Sequence, residues 1–434
     1  MREKSYDVII VGGGIAGSTL AIALVAAGAT TSGLRVALVE AREFPATAFD
    51  PLKVSINDYD PRVSALTHAS CEFYRQLSVW PAVQARRCCP FRAMRVWDAR
   101  GSASIDFEAD EIGEHELGFV VENRVLAAAL LEQLVTGRRV ALYDGVAVDD
   151  ATISAGRATV TLADGSVLGA DLLVAADGAG SPLREMMSIP VRRWDYGQDA
   201  IVCTVATEHP HQHTAWQVFT EEGPLAFLPL AAKAGGLFAN GDNDTGEINP
   251  SAEQGTHLCS IVWSQTRDRA AALMSLADEE FQQALARALE KRLGKIVDVS
   301  RRHSFPLRQH HAVDYVREGF ALLADAAHGL HPLAGQGLNL GIGDVRELAD
   351  SVRAAVTARR SPGDLACLKR YQRARKTDNL AMLAAVESFH RLYQREVPLT
   401  LRWLRNEGMR AVDRQYWLKQ RILRYAMGVT DTVQ

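Results

Sequence analysis

The chain lacks any run of ~18 uninterrupted apolar residues, so no segment reads as a membrane-spanning helix. Cysteine is scarce and unpatterned. The six residues, Cys71, Cys88, Cys89, Cys203, Cys259 and Cys367, form no CxxC and no pairing rhythm. In a chain this long, that argues for a reducing compartment without a structural zinc site. There is no bulk excess of basic residues either: the formal net charge is −4 and the pI about 6.3, which excludes a partner held by nucleic-acid phosphates. The charged start runs straight into Val8-Ile9-Ile10-Val11 with no small-residue cleavage site, so a cytoplasmic location is expected. Histidines pair at His211/His213, His310/His311 and His328/His331, but no third ligand or HExxH accompanies them, so no metal is expected. No internal repeat or low-complexity segment is visible.

What is present is the composition of a soluble globular chain. Its 434 residues are 47% hydrophobic and 23% charged, enough for two or three domains. Charge is unevenly placed. Residues 361–434 carry 14 Lys/Arg against 7 Asp/Glu, a net of +7, which leaves −11 for residues 1–360. The tail is a basic appendage on an acidic body.

Residues 6–40 read strand, helix, strand: an apolar run Tyr6–Val11, an Ala/Leu-rich stretch Ile15–Ala27, and Leu34–Glu40 ending in an acid. That βαβ pattern implies a parallel sheet. The connection at 28–33 is longer than such a turn needs and reads as a surface excursion. Val125–Leu134 is helical and Val140–Leu142 a strand. Asp164-Gly165 marks a tight hairpin between 159–162 and 166–168, and Asp171–Ala176 is a buried strand. From about 190 to 305 the pattern changes to alternating strands (216–219, 225–230, 258–263) with one helix near 278–293. A buried strand returns at 320–324, followed by a glycine-rich loop and a helix over 339–357 with Val345, Leu348, Val352 and Val356 on one face. Residues 365–427 read as mostly helical. The fold class expected is α/β: a Rossmann-type domain from 1–80, 115–188 and 301–360, a β-rich domain from 81–114 and 189–300, and a helical extension over 361–434.

Three motifs carry chemistry. Gly12-Gly13-Gly14-Ile15-Ala16-Gly17 fits GxGxxG between a strand and a helix. There Gly12 permits the turn, Gly14 admits a pyrophosphate against the backbone, and Gly17 lets helix pack on sheet. The helix start offers unsatisfied N–H groups to phosphates, and Glu40, ending the second strand, suits ribose hydroxyls. The second motif, Asp177-Gly178-Ala179-Gly180-Ser181-Pro182-Leu183-Arg184, is a DGxxSxxR at the end of an apolar strand. The third runs from Ala324-Asp325 through His328 and His331 to Gly335-Gln336-Gly337-Leu338-Asn339, where Asp325 could accept from hydroxyls and the glycines admit a ligand ahead of a helix start.

In this order and spacing the motifs resemble the FAD-dependent aromatic hydroxylases of the para-hydroxybenzoate hydroxylase fold. Leu330-His331-Pro332-Leu333-Ala334-Gly335-Gln336-Gly337-Leu338-Asn339-Leu340-Gly341 is similar to the ubiquinone-biosynthesis hydroxylases (the UbiH, UbiI and UbiF type). So are Pro61–Leu66, Val120–Asn123, Ala226–Leu230 and Ser260–Trp263. The resemblance implies FAD, with Gly12, Gly14, Gly17 and Glu40 on its AMP half and Arg62 and Arg124 in contact with it. It places Asp177 near the pyrophosphate, Asp325 at the ribityl and phosphate region, and Gly335, Gln336, Gly337 and Asn339 beside the isoalloxazine, with His331 close by. It further implies NAD(P)H as a transient co-substrate, O₂ activated as a flavin hydroperoxide, and a polyprenylphenol as substrate. Other readings are a reductase or epoxidase of lipidic substrates on the same fold, or a non-catalytic component of a quinone-biosynthesis complex.

One departure is Ala324, where the family has glycine. Alanine is harmless there only if its φ is negative and nothing touches its Cβ. Trp216, Phe227 and Trp263 read as core, Cys88-Cys89 as buried thiols, and the acids of 107–116 as a solvated face. The tail mixes Leu, Trp, Tyr and Met with arginines. It suits peripheral binding to anionic lipid, a site for a protein of a ubiquinone-biosynthesis complex, or docking on its own body.

Overall fold

The computed structural model describes residues 3–26, 33–45, 55–101, 103–231, 257–330, 335–393 and 399–428. Most of the 28–33 excursion, and His331 with Pro332, Leu333 and Ala334, lie outside the described residues.

Five strands run parallel through an eight-stranded sheet, in the spatial order Phe320–Leu322, Val167–Ala175, Lys4–Val11, Val36–Glu40, Val140–Asp144. Their residues are almost continuously apolar because both faces are covered; Val8, Ile9 and Ile10 have no exposed surface. The helix Ile15–Val25 is buried from Gly17 onward and packs against the helices Asn123–Gly137 and Gly337–Thr357. From Lys4–Val11 the chain builds outward on one side through Val36–Glu40 and Val140–Asp144. It then returns to the other side with Val167–Ala175 and Phe320–Leu322. The order therefore reverses at the first strand, and ligands of open parallel sheets bind in the crevice at such a point, beyond the strands' carboxyl ends.

A nine-stranded, mainly antiparallel sheet gathers strands from 93–108, from 191–312 and the short His328–Gly329. Trp216, Phe227 and Trp263 pack inside it with Phe281. The helices Arg267–Ser275 and Asp278–Ala288 cover it. Only the second of these is anticipated by the residue pattern. The first follows strand Leu258–Thr266 without a turn residue and buries only Ala270 and Leu273, so it carries little periodic signal. His328–Gly329 pairs with His310 and His311, which ties the third motif to this second sheet as well as to the first.

The basic extension forms helices Leu365–Leu392, Leu399–Arg414 and Tyr416–Met427. The first packs along Gly337–Thr357. The last buries Leu423 and Met427 in a cluster with Tyr59, Phe91, Phe107 and Ile112. Here the reading of residues 107–116 as a solvated face needs correction. Glu111 accepts from Lys419 Nζ at 2.5 Å, and its carbonyl accepts from Gln420 and Tyr416. An acid at 111 is the anchor for a cation 308 residues away, a contact no local pattern reveals. The outer side of the last helix stays open, with Trp417 63% exposed beside exposed Arg421. Among the described residues no helix is long and apolar enough to cross a membrane.

Candidate active site

The first strand ends in a turn that only glycine can make. Gly12 has φ +108, and a Cβ there would sit 2.2 Å from the Ala176 carbonyl oxygen. A Cβ on Gly17 would lie 1.9 Å from the Gly12 carbonyl, so helix and strand touch backbone to backbone. Gly14 differs: it caps the helix Ile15–Val25, and a Cβ there would meet nothing within 4 Å. The space beyond Gly14 is open, at a helix start with no acid in its first turn. Glu40 stands at the same edge, half-buried. Its Oε2 accepts from the Gly13 N–H at 2.6 Å and its Oε1 from the Arg42 N–H at 3.1 Å. It therefore shapes the glycine turn as well as facing the crevice.

The second motif reaches the crevice from the neighbouring strand, whose extension binds the first through Ala176 N–H to the Val11 carbonyl at 2.7 Å. Asp177 Oδ2 accepts from Leu183 N–H at 3.1 Å, whereas its Oδ1 is buried with no donor among the described residues. Burial pushes its carboxyl up, against the pull of Ser181, the Leu183 N–H and Arg184. Arg184, fully buried, donates to the Ala179 carbonyl at 2.9 Å and to the Ala326 carbonyl at 2.7 Å. It clamps the second motif to the third, a role the spacing alone does not disclose.

In the third motif Asp325 sits in a single 3-10 turn, Ala324–Ala326, with its carbonyl accepting from His310 Nε2 at 2.8 Å. Its carboxyl opens to solvent, but from within a cleft. Protein surrounds it closely enough that burial raises its pKa, opposed by His328, His310 and Arg62. Ala324 has φ +51, so the favourable condition on its backbone is not met. Its Cβ is accommodated because helix residue 341 is glycine: a Cβ there would come within 2.9 Å of it. Gly335 has φ +63, and Gly337, the first residue of its helix, faces open space. Gln336 caps that helix without a side-chain hydrogen bond to its backbone.

Asn339 has a structural part that the resemblance does not imply. Its Oδ1 accepts from Thr67 N–H at 3.1 Å and Ser70 Oγ at 2.8 Å, while its Nδ2 donates to the Ala65 carbonyl at 2.8 Å and to Gln336. The amide is satisfied by protein, so it positions the loop against strand Val63–Thr67.

Arg62 and Arg124 flank the crevice from that side. Asp60 takes both their backbone N–H groups. Arg124 Nε and Nη2 lie 3.1 and 3.0 Å from Glu122 Oε2. Glu122 is itself buried and paired with buried Arg87 at 2.8 Å. A second buried set lies under the third motif. His328 Nε2 meets Asp344 Oδ2 at 2.5 Å, and Asp344 Oδ1 accepts from Arg375 Nε at 2.8 Å and Asn379 Nδ2 at 3.2 Å. Burial alone would raise the Asp344 carboxyl, but His328 and Arg375 outweigh it and hold it low. The sequence reading assigned neither set. A signal exists for each: Glu122 ends an apolar strand, and Asp344 falls on the apolar stripe of its helix. An acid in a core position requires a buried partner.

Open space beyond Gly14 and Gly337, two unfilled helix starts, the unpartnered Asp177 Oδ1 and the open Asp325 carboxyl line one crevice. They suit a long ligand with a diphosphate and several hydroxyls. Residues 5–385 match the family model described as FAD binding domain. The chain is 34% identical over 433 residues to the 3-demethoxyubiquinol 3-hydroxylase of Escherichia coli, covering 99% of this chain and 100% of that protein. It is 33% identical to the mouse mitochondrial ubiquinone biosynthesis monooxygenase COQ6, covering 98% and 91%. The chain belongs to the FAD-dependent hydroxylases of ubiquinone biosynthesis. The ubiquinone hydroxylase UbiL of Rhodospirillum rubrum is a further relative at 34% identity, with coverage of 98% and 90%. Among solved structures, p-nitrophenol 4-monooxygenase PnpA from Pseudomonas putida superposes with a TM-score of 0.72 at 16% identity, over 98% of this hydroxylase and 99% of that chain. That likeness establishes the shared fold.

Proposed function

We propose that this hydroxylase, an FAD-dependent monooxygenase, adds a hydroxyl to the aromatic ring of a polyprenylated phenol, a precursor of ubiquinone. O₂ and NADH or NADPH are the co-substrates. The observation that carries the reading is the convergence of three loops with open, unmatched polar groups at the reversal point of the parallel sheet.

Each group of this chain has a part in holding the flavin. The start of helix Ile15–Val25 receives the diphosphate, with Gly14 open for its approach. Glu40 accepts from the ribose hydroxyls. Asp177 Oδ1 takes a donor it now lacks, and Arg62 and Arg124 face the anionic middle of the cofactor. Asp325 accepts from the ribityl chain. The loop 335–337 would hold the ring system, where the helix start would stabilise negative charge. When bound, FAD would supply the redox chemistry, nicotinamide oxidation and oxygen activation. The protein's share is to orient the phenol and exclude water, with Arg184 and Asn339 holding the loops in place.

We divide the chain functionally as 1–80, 115–188 and 301–360 for the flavin, 81–114 and 189–300 for the substrate, and 361–434 for a docked extension. The outer face of helix Tyr416–Met427, with Trp417 and Arg421, brings the enzyme to a lipid surface where a prenylated substrate resides. The first test is direct. Purified protein takes up one FAD and converts a prenylphenol to a product one oxygen heavier in the presence of NADH or NADPH. A protein that stays colourless after incubation with FAD contradicts the reading.

A further inference from the structure

The chain has one GxGxxG turn, and it serves the resident flavin. A second dinucleotide, which the proposed reaction needs for reduction, must dock elsewhere. A cavity of about 520 Å³ lies beside the flavin crevice, lined by Asn57, Tyr59, Asp60, Arg124, Arg301 and His303 among others. It forms where the segment 57–61 and the first turn of helix Asn123–Gly137 face the connection between strands Ile296–Val299 and His303–Ala312. One hydrogen bond ties its two walls: Arg301 N–H donates to Asn57 Oδ1 at 2.9 Å.

The charges of this cavity are unbalanced. The two carboxylates at hand are both engaged. Asp60 holds the N–H groups of Arg62 and Arg124, and Glu122 is sandwiched between Arg87 and Arg124. The guanidinium group of Arg301, on the cavity wall, is exposed and makes no ion pair or side-chain hydrogen bond among the described residues. The lining thus carries two arginines, Arg124 and Arg301, against the one carboxylate of Asp60, a balance that favours an anionic ligand. The size is that of a nucleotide, within the range of small-molecule sites. Asn57, Ser300 and His303 offer hydrogen-bonding partners for ribose hydroxyls. A prenylated phenol, uncharged and apolar, would leave Arg301 without a partner and has no reason to sit there. The cavity also shares a wall with the flavin crevice: Asp60 and Arg62 are two residues apart, and the charge of Arg62 is felt by the Asp325 carboxyl.

We propose that this cavity is the docking site of the reduced nicotinamide dinucleotide, with Arg301 on its diphosphate and Asn57, Ser300 and His303 on its sugar. The proposal rests on the monooxygenase reading above. Neither Arg301 nor His303 holds the flavin in that reading, so the two cofactors are separable by mutation.

The experiment uses the FAD-loaded enzyme and two readouts. Anaerobic stopped-flow reduction by NADH and by NADPH gives a dissociation constant and a limiting rate. Calorimetric titration with NAD⁺ and NADP⁺ gives binding without turnover. R301A should weaken binding of the preferred nucleotide at least tenfold while FAD content and reduction by dithionite stay at the wild-type level. R301K should recover part of the affinity, and H303Q, which leaves Arg301 in place, should weaken binding by a smaller factor. Dissociation constants within twofold of wild type in both R301A and H303Q would overturn the site but leave the monooxygenase reading standing. Loss of FAD from R301A would assign the cavity to the resident flavin instead and also overturn it. Wild-type flavin reduced by neither nucleotide would bring down both.

Discussion

The contact between Ala324 and Gly341 yields a quantitative prediction about the loop that carries Asp325. Ala324 occupies the left-handed region at φ +51, at a cost of roughly 1–2 kcal/mol for an L-residue. Its partner is Gly341, the fifth residue of helix Gly337–Thr357, where an added Cβ would come within 2.9 Å of the Ala324 Cβ. Carbon atoms in contact prefer about 3.5–4.0 Å. Ala324→Gly removes the backbone strain but frees the unfolded chain by about 0.4–1 kcal/mol, so alone it should be neutral to slightly stabilising. Gly341→Ala gains about 1 kcal/mol of helix propensity and loses roughly 1–3 to overpacking, so alone it should be neutral to destabilising. Together the clash vanishes and the propensity remains, which predicts a coupling of about 1–3 kcal/mol. For a chain of this length thermal midpoints move on the order of 1 °C per kcal/mol, so urea unfolding of the four proteins is the better assay, with FAD retention after dialysis measured in parallel. Ala324→Gly should hold FAD at least as well as the wild type. Effects that add within about 0.5 kcal/mol would refute the contact and the strain argument built on it.

Three further outcomes are expected. Gly14→Val should fold and purify colourless, since its side chain enters only the space meant for diphosphate, whereas Gly17→Ala should fail to fold because its Cβ would collide with the Gly12 carbonyl; a yellow Gly14→Val protein would contradict the placement of the flavin. Burial pushes His211 down to about 3 and His311 to about 4, so between pH 6.5 and those values the unfolded chain binds protons the folded one refuses. Stability should therefore fall as pH drops, by roughly 2 kcal/mol for each residue at pH 5, and His211→Gln should flatten the slope of unfolding midpoint against pH. Trp417→Ala combined with Arg421→Ala should reduce sedimentation with anionic vesicles at low salt without loss of FAD, because each surface cation contributes about 1 kcal/mol there; unchanged sedimentation would remove this face from consideration.

What could be read in advance was local. The turn Gly12–Gly17 is defined within six residues by what the backbone must do between a strand and a helix, and Asp177 and Asp325 each end a recognisable buried strand. Three strands of the nine-stranded sheet, at 216–219, 225–230 and 258–263, were visible as alternating apolar residues, and Trp216, Phe227 and Trp263 took core positions as their pattern implied. What escaped depends on residues far apart in the chain. Asn339 reaches Thr67 across 272 positions, and Lys419 reaches Glu111 across 308. Neither partner has a local reason to be that residue. Arg184 looks like the end of a motif until its bond to the Ala326 carbonyl shows it joining two loops. The backbone of Ala324 was undecidable from composition, since its left-handed φ follows from the 3-10 turn and the helix packed against it.

The most direct test of the central claim is a single turnover under ¹⁸O₂. FAD-loaded enzyme is reduced by the preferred nicotinamide, mixed with a prenylphenol and labelled oxygen, and the product is analysed by mass. The account predicts one ¹⁸O atom in a new ring hydroxyl, with the flavin returned to its oxidised form. A hydroxylated product whose oxygen comes from water, or flavin reoxidation with the phenol unchanged and only peroxide formed, would contradict it.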